Sequence, residues 1–191
     1  MLRIAFCPSA SQPTTLLACL ASGTMIRYDL RFAHLQGGGA IDRIAGHVGP
    51  ILGMDWRENG EDHSSASSGG WVATGGLDNT VKIWDFNQPN LSSKPSKTLL
   101  PSHSVLNVAW HPSHPTELAT SPLPALGINE TEHTDTSEAS LQTSNATPWS
   151  TWSNEIAIWD TRQEYYPSHV LQADSAPTGQ SIDIVGLRRA S

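Results

Sequence analysis

Three stretches of the chain end alike. They are Gly23-Thr24-Met25-Ile26-Arg27-Tyr28-Asp29, Asn79-Thr80-Val81-Lys82-Ile83-Trp84-Asp85 and Asn154-Glu155-Ile156-Ala157-Ile158-Trp159-Asp160. Each alternates apolar with polar or small residues and closes on an aromatic–Asp pair, and period-two alternation marks a half-buried strand. A matching strand precedes each: Leu2 to Phe6, Ile51 to Trp56 and Val105 to Trp110. Between the two lies a run of small and apolar residues: Leu16 to Ser22, Trp71 to Gly76 and Leu118 to Ser121. Ile41 to Ala45, Thr98 to Leu100 and His169 to Leu171 supply a fourth, outer strand. The pattern predicts an all-β chain of about three consecutive four-stranded units, at 1–45, 46–100 and 101–172. Ile182-Asp183-Ile184-Val185-Gly186-Leu187, within 173–191, reads as the start of a fourth.

A repeat at this period governs every other reading, because each unit must bury its face against a neighbour. The intervals from Tyr28 to Trp84 and from Trp84 to Trp159 both exceed the unit length of about 40–45 residues typical of such arrays. Two insertions account for the excess: Glu58 to Gly69, and a longer one at about 122–151. The second carries Glu130, Glu132, Asp135 and Glu138 and no Lys or Arg, so it is expected to be a solvated, disordered excursion between strands.

Composition narrows the function classes. Eighteen acidic against eleven basic residues give a net charge of −7, which repels a phosphate backbone, so nucleic acid is not an expected partner. Apolar runs fall well short of the ~20 residues of a membrane-spanning helix, so direct membrane insertion is not expected either. Cys7 and Cys19 sit in apolar runs without metal spacing and read as buried free thiols. His103, His111, His114, His133 and His169 read as scattered turn or surface residues, and no metal or cofactor is expected. Gly37-Gly38-Gly39 lacks the Gly-Lys-Ser/Thr of a phosphate loop and reads as a turn.

The second unit holds Gly46-His47, Trp71-Val72-Ala73-Thr74-Gly75-Gly76-Leu77-Asp78 and Val81-Lys82-Ile83-Trp84-Asp85. These residues closely resemble the WD-repeat signature, which implies a partial β-propeller whose blades are the units above. The resemblance implies that His47, Thr74, Asp78 and Trp84 form one hydrogen-bonded structural chain. The chemistry is self-consistent: a buried indole N–H needs an acceptor, and a hydroxyl can accept from it while donating to an imidazole that a carboxylate orients. His47, Asp78 and Thr74 also invite a hydrolytic triad. No nucleophile elbow accompanies them, so the catalytic alternative is weak and the chain is read as non-enzymatic, with no small-molecule substrate. The other units depart from the pattern. Tyr28 replaces Trp, Ser22 and Ser153 stand in place of Asp78, and neither unit has an aligned Gly-His. They are expected to rely on packing alone.

Finer likeness lies in Gly46-His47-Val48-Gly49-Pro50-Ile51-Leu52, in Ser104 to Trp110 and in Ile158 to Pro167. These runs are similar to the WD-repeat subunit of the SEA (GATOR-type) complex. That likeness implies a protein-interaction scaffold in a multisubunit complex regulating target-of-rapamycin signalling in response to amino acids. Its expected location is the cytoplasm, peripheral to the vacuole or lysosome through the complex. The alternative rests on Trp159-Asp160-Thr161-Arg162 and the weaker Tyr28-Asp29-Leu30-Arg31. Both resemble the Trp-Asp-x-Arg motif of WD-repeat substrate receptors of cullin ubiquitin ligases, which makes Arg31 and Arg162 candidate partner-binding residues. The plainer reading pairs each arginine with an Asp of a neighbouring blade. Three blades and a strand do not close a ring, and a truncated reading frame is the expectation.

Overall fold

The computed structural model describes residues 3–9, 12–36, 38–57, 70–87, 94–123, 155–163 and 166–172. The insertion at 58–69, the insertion from 124 onward and the expected fourth unit at 173–191 lie outside these described residues.

The described residues form three antiparallel four-stranded sheets. The first holds β1 (Arg3–Phe6), β2 (Thr15–Cys19), β3 (Thr24–Asp29) and β4 (Ala40–Ala45). The second holds β5 (Ile51–Arg57), β6 (Trp71–Gly76), β7 (Val81–Asp85) and β8 (Lys97–Leu99). The third holds β9 (Val105–Trp110), β10 (Glu117–Pro122), β11 (Glu155–Asp160) and β12 (His169–Gln172). In each, the strands lie side by side in chain order. This is the meander of propeller blades, and the register is equivalent: Leu16 faces Tyr28, Val72 faces Trp84 and Leu118 faces Trp159. A single helical turn, η1 (Leu30–Phe32), follows the first blade's third strand.

One boundary differs from the sequence reading. Pro122 was expected to open the second insertion, yet it is the last residue of β10 and pairs with Val105 across a register shift. A proline lacks the N–H a ladder needs, and a strand end at an irregularity is where it fits.

Alternation decides which blades touch. Val72 packs with Trp84, Trp56, Ile51 and Phe86 against Leu17, Cys19, Met25 and Ile44 of the first blade. Its neighbour Ala73 faces the other way, with Val81, Ile83 and Leu99, against Val105, Val108, Leu118, Ala157 and Trp159 of the third. The second blade is therefore buried on both faces, which is why β6 is enclosed along nearly its whole length. Each aliphatic side chain so enclosed contributes about 1.5–3 kcal/mol relative to solvent exposure. In the outer sheets some apolar residues stay open: Ile4 and Phe6 on β1 and Ile156 on β11. Blades two and three meet closely, for a Cβ on Gly75 would fall 2.5 Å from Val105 Cγ1. Backbone and side chain also cross between blades: Asp55 Oδ2 accepts the Trp110 N–H at 2.6 Å, and Arg3 Nη2 donates to Asn107 Oδ1 at 3.2 Å.

Candidate functional site

The most elaborate polar arrangement starts in the link between blades one and two. His47 lies just before β5, Thr74 on β6, Trp84 on β7 and Asp78 in the β6–β7 turn. That turn is closed by Gly76 N–H donating to Thr80 O, and Asn79 takes the left-handed conformation (φ 58°) that Asn tolerates better than most side chains. The turn aims Asp78 back at the ring of His47.

Trp84 Nε1–H donates to Thr74 Oγ1 at 2.9 Å, and His47 Nε2 is 2.8 Å from the same hydroxyl. His47 Nδ1 lies 2.9 Å from Asp78 Oδ1. The proton order follows from chemistry. An ionised carboxylate can only accept, so a neutral His47 ring carries its proton on Nδ1 facing Asp78; Nε2 then accepts from the Thr74 hydroxyl, which in turn accepts from the indole N–H of Trp84. Asp78 is held in turn by the Val48 N–H at 2.9 Å and the Thr80 hydroxyl at 2.7 Å. Lys82 Nζ donates to Gly46 O at 2.5 Å, fixing the backbone beside His47.

Burial pushes the His47 pKa down, against the upward pull of the hydrogen bond and charge of Asp78; Lys82 adds to the lowering. For Asp78, burial is the largest influence and acts upward, but hydrogen bonds from His47, Thr80 and Val48 together hold it below the usual carboxylate value. Both directions make the fold acid-sensitive. A histidine kept neutral when folded but free to protonate when unfolded contributes stability that is full above the ordinary value near 6.5. That contribution fades as pH falls below it, and the Asp78 contribution is lost lower still, through its folded pKa. The urea midpoint is therefore expected to fall between pH 7.5 and pH 5, and His47→Leu, although less stable, is expected to lose part of this slope. An unchanged slope in the variant would remove His47 as the source.

The triad-like trio offers no reaction centre. Thr74 is fully enclosed and its hydroxyl is shared between indole and imidazole, so no substrate carbon reaches the oxygen.

Comparison with known proteins bears on this geometry. No family model matches the chain. It is 27% identical over 110 residues to the periodic tryptophan protein 2 homolog of Neurospora crassa, covering 58% of this chain and 11% of that protein. It is 26% identical over 126 residues to the GATOR2 complex protein WDR24 of Gallus gallus, covering 66% and 13%. It is 33% identical over 100 residues to the WD repeat-containing protein slp1 of Schizosaccharomyces pombe, covering 52% and 17%. A chain in the crystal structure of the mitotic checkpoint complex, a WD40 propeller, superposes with a TM-score of 0.54 at 25% identity, over 85% of this chain and 36% of that one. The chain's homologues are WD-repeat proteins, and its fold is that of a partial WD40 propeller. The chain spans only about a tenth to a fifth of the length of these relatives.

Three expectations for this WD-repeat chain need correction. First, the third blade does not rely on packing alone: Trp159 Nε1–H donates to Thr120 Oγ1 at 2.9 Å, the indole–hydroxyl half of the network without the histidine. In the first blade the equivalent positions are Tyr28 and Ala18, which offer neither partner. Ser22 bonds Thr24 there, and Ser153 lies outside the described residues.

Second, Arg31 and Arg162 do not reach a neighbouring blade. Arg31 Nε and Nη2 clamp Asp29 at 3.0 and 2.6 Å, and Arg162 Nε and Nη2 clamp Asp160 at 2.9 and 2.6 Å. In each case the arginine N–H also donates to the same carboxylate, so Asp-x-Arg closes on itself as a turn. Hydrogen bonding from Arg31 draws the Asp29 pKa down to about 2, and Arg162 lowers that of Asp160. Both guanidiniums are exposed, at 68% and 74%.

Third, His111 and His114 are not scattered: with Glu117 they converge on the turn between β9 and β10, their ligand atoms all within 4.8 Å of one another. His103 stands apart, 3.3 Å from Ser104 O, and His133 lies outside the described residues. Cys7 and Cys19 form no disulfide and are buried, and burial pushes the Cys19 thiol up to about 12, leaving it protonated and inert.

Proposed function

We propose that this WD-repeat scaffold is a non-enzymatic subunit of a SEA/GATOR-type complex, acting in amino-acid control of target-of-rapamycin signalling. The carrying observation is the likeness to WDR24, which runs over more of the chain than the likeness to periodic tryptophan protein 2 or slp1. It adds to the residue runs around His47, Ser104 and Ile158 that resemble the same subunit. A structural His47–Thr74–Trp84 chain suits a part whose task is to hold a rigid surface. Partners are then the other proteins of the complex, and the place of action is the cytoplasmic side of the vacuole or lysosome. Contact with the membrane runs through the complex; among the described residues no helix is long and apolar enough to cross one.

Placement of Arg31 and Arg162 in the open, at equivalent ends of the third strands of two blades, favours a second reading as a cullin-ligase substrate receptor. Against it, two donor groups of each guanidinium are already engaged by Asp29 or Asp160. Affinity purification of the tagged full protein from its own cells separates the readings. Recovery of SEA-type subunits, unchanged by Arg162→Ala, is expected. Recovery of a cullin adaptor in their place, lost on Arg162→Ala, would overturn the assignment.

A further inference from the structure

We propose that His111, His114 and Glu117 form a binding site for a divalent transition metal, zinc by its ligand set, on the β9–β10 turn. A ring nitrogen of each histidine and a carboxylate oxygen of Glu117 lie mutually within 4.8 Å. His114 Nδ1 and Glu117 Oε2 are 3.3 Å apart. Two ligands at about 2.1 Å from a tetrahedral ion are separated by about 3.4 Å, so this pair already has the spacing an ion needs. The rings of His111 and His114 stack with centroids 4.2 Å apart and planes 21° apart, so their in-plane lone pairs run nearly parallel and the His111 ring must turn for its nitrogen to complete the set. Two imidazole nitrogens and one carboxylate, with a fourth position left to water, form a set that suits zinc.

The turn is built before any ion arrives. His111 N–H donates to Glu117 O and Glu117 N–H to His114 O, each at 3.0 Å, so the segment bearing all three ligands is tied to itself. Thr161 N–H donates to Thr116 O at 2.7 Å, and Arg57 Nη1 to Pro115 O at 2.5 Å, which anchors the turn to β11 and to the neighbouring blade. Pro112 and Pro115 each follow a histidine and fix the backbone beside it. Little conformational freedom is left for a metal to remove, which favours binding by a small exposed site.

One local cost identifies the site spectroscopically. His111 Nδ1 accepts the N–H groups of Ser113 at 3.1 Å and His114 at 2.9 Å, so it carries no proton. An ion on Nδ1 takes that lone pair directly, and an ion on Nε2 drives the ring proton onto Nδ1. Either way both backbone hydrogen bonds are given up, and water takes their place at this exposed turn.

The test is titration of the full chain with Zn2+, followed by calorimetry and by backbone amide NMR. One saturable ion is expected, with the Ser113 and His114 amide resonances among those that move. His114→Ala should abolish that binding and Glu117→Gln should weaken it by about tenfold or more, while His103→Ala leaves it unchanged. Each of these ligand side chains is at least partly exposed, so unchanged thermal melting of the variants will separate lost ligation from lost fold. Absence of saturable binding, or binding of equal affinity in His114→Ala, would overturn the site.

Discussion

Thr74→Val is expected to destabilise the chain by about 2–6 kcal/mol, because it abandons two buried polar groups at once, each costing about 1–3 kcal/mol. Valine has nearly the shape of threonine, so the packing of β6 against the first blade is kept and the loss isolates the hydroxyl. Trp84 Nε1–H then has no acceptor and His47 Nε2 no donor, in a position from which water is excluded. Thr120→Val supplies the internal control. The same hydroxyl–indole bond, at the same 2.9 Å, exists there without an imidazole behind it. A single orphan at Thr120 should cost about half as much as the pair at Thr74, on the order of 1–3 kcal/mol. Urea unfolding of both variants measures the ratio, with unchanged slopes showing that the unfolded state is the same. Equal losses at Thr74 and Thr120 would mean that the link to His47 contributes nothing.

That contrast also shows how far residues alone could carry the reading. Strand order was legible because alternation has period two and each third strand ends on an aromatic–Asp pair. Those two signals place Tyr28, Trp84 and Trp159 at one register, and the short apolar runs near Ile41, Thr98 and His169 then have only the outer edge left to occupy. The second blade's network was legible because each member has one chemical role: indole gives, carboxylate takes, hydroxyl and imidazole relay. The Thr120 bond is not legible from the motif, which in this blade is incomplete. The absence of Gly-His in the third blade hid a bond that needs no histidine, only a hydroxyl two residues beyond the partner of Trp159.

Two further misses share one cause, the dependence of local contact on backbone path. In an extended chain, residues three apart stand about 10 Å from one another, so His111, His114 and Glu117 look dispersed. Only the turn that ties His111 N–H to Glu117 O folds them together. Asp29-Leu30-Arg31 and Asp160-Thr161-Arg162 likewise suggest side chains diverging towards other blades. The carboxylate instead accepts the N–H two residues on, which turns the chain and returns the guanidinium to the same Asp. Proline and Asp-x-x signals announce that a turn exists; they do not say which side chains it gathers.

Gly23 is a single position where strain and contact combine, and Gly23→Ala is expected to unfold much of the first two blades. Gly23 has φ +80°, a conformation that disfavours an L side chain by roughly 1–2 kcal/mol. Its surroundings add more. A Cβ there would fall 2.1 Å from the carbonyl oxygen of His47 and 2.7 Å from that of Gly49, and both obstacles are backbone that cannot rotate aside. The same residue's carbonyl accepts the N–H groups of Gly46 at 2.8 Å and His47 at 3.0 Å. The hairpin of the first blade thus holds the segment that delivers His47 to Thr74 and Asp78, and any retreat from the clash pulls the imidazole away from both. Gly38 separates the two contributions, since it has φ +64° but open space around a Cβ. Gly38→Ala should cost only the conformational part, about 1 kcal/mol, whereas Gly23→Ala should abolish the cooperative thermal transition or lower its midpoint far more. Parity between the two alanine variants would show that the first blade's hairpin does not position His47, and the coupling between neighbouring blades would then have to rest on other contacts, such as the apolar cluster around Val72 and Leu17 and the Arg3 Nε donation to Leu52 O.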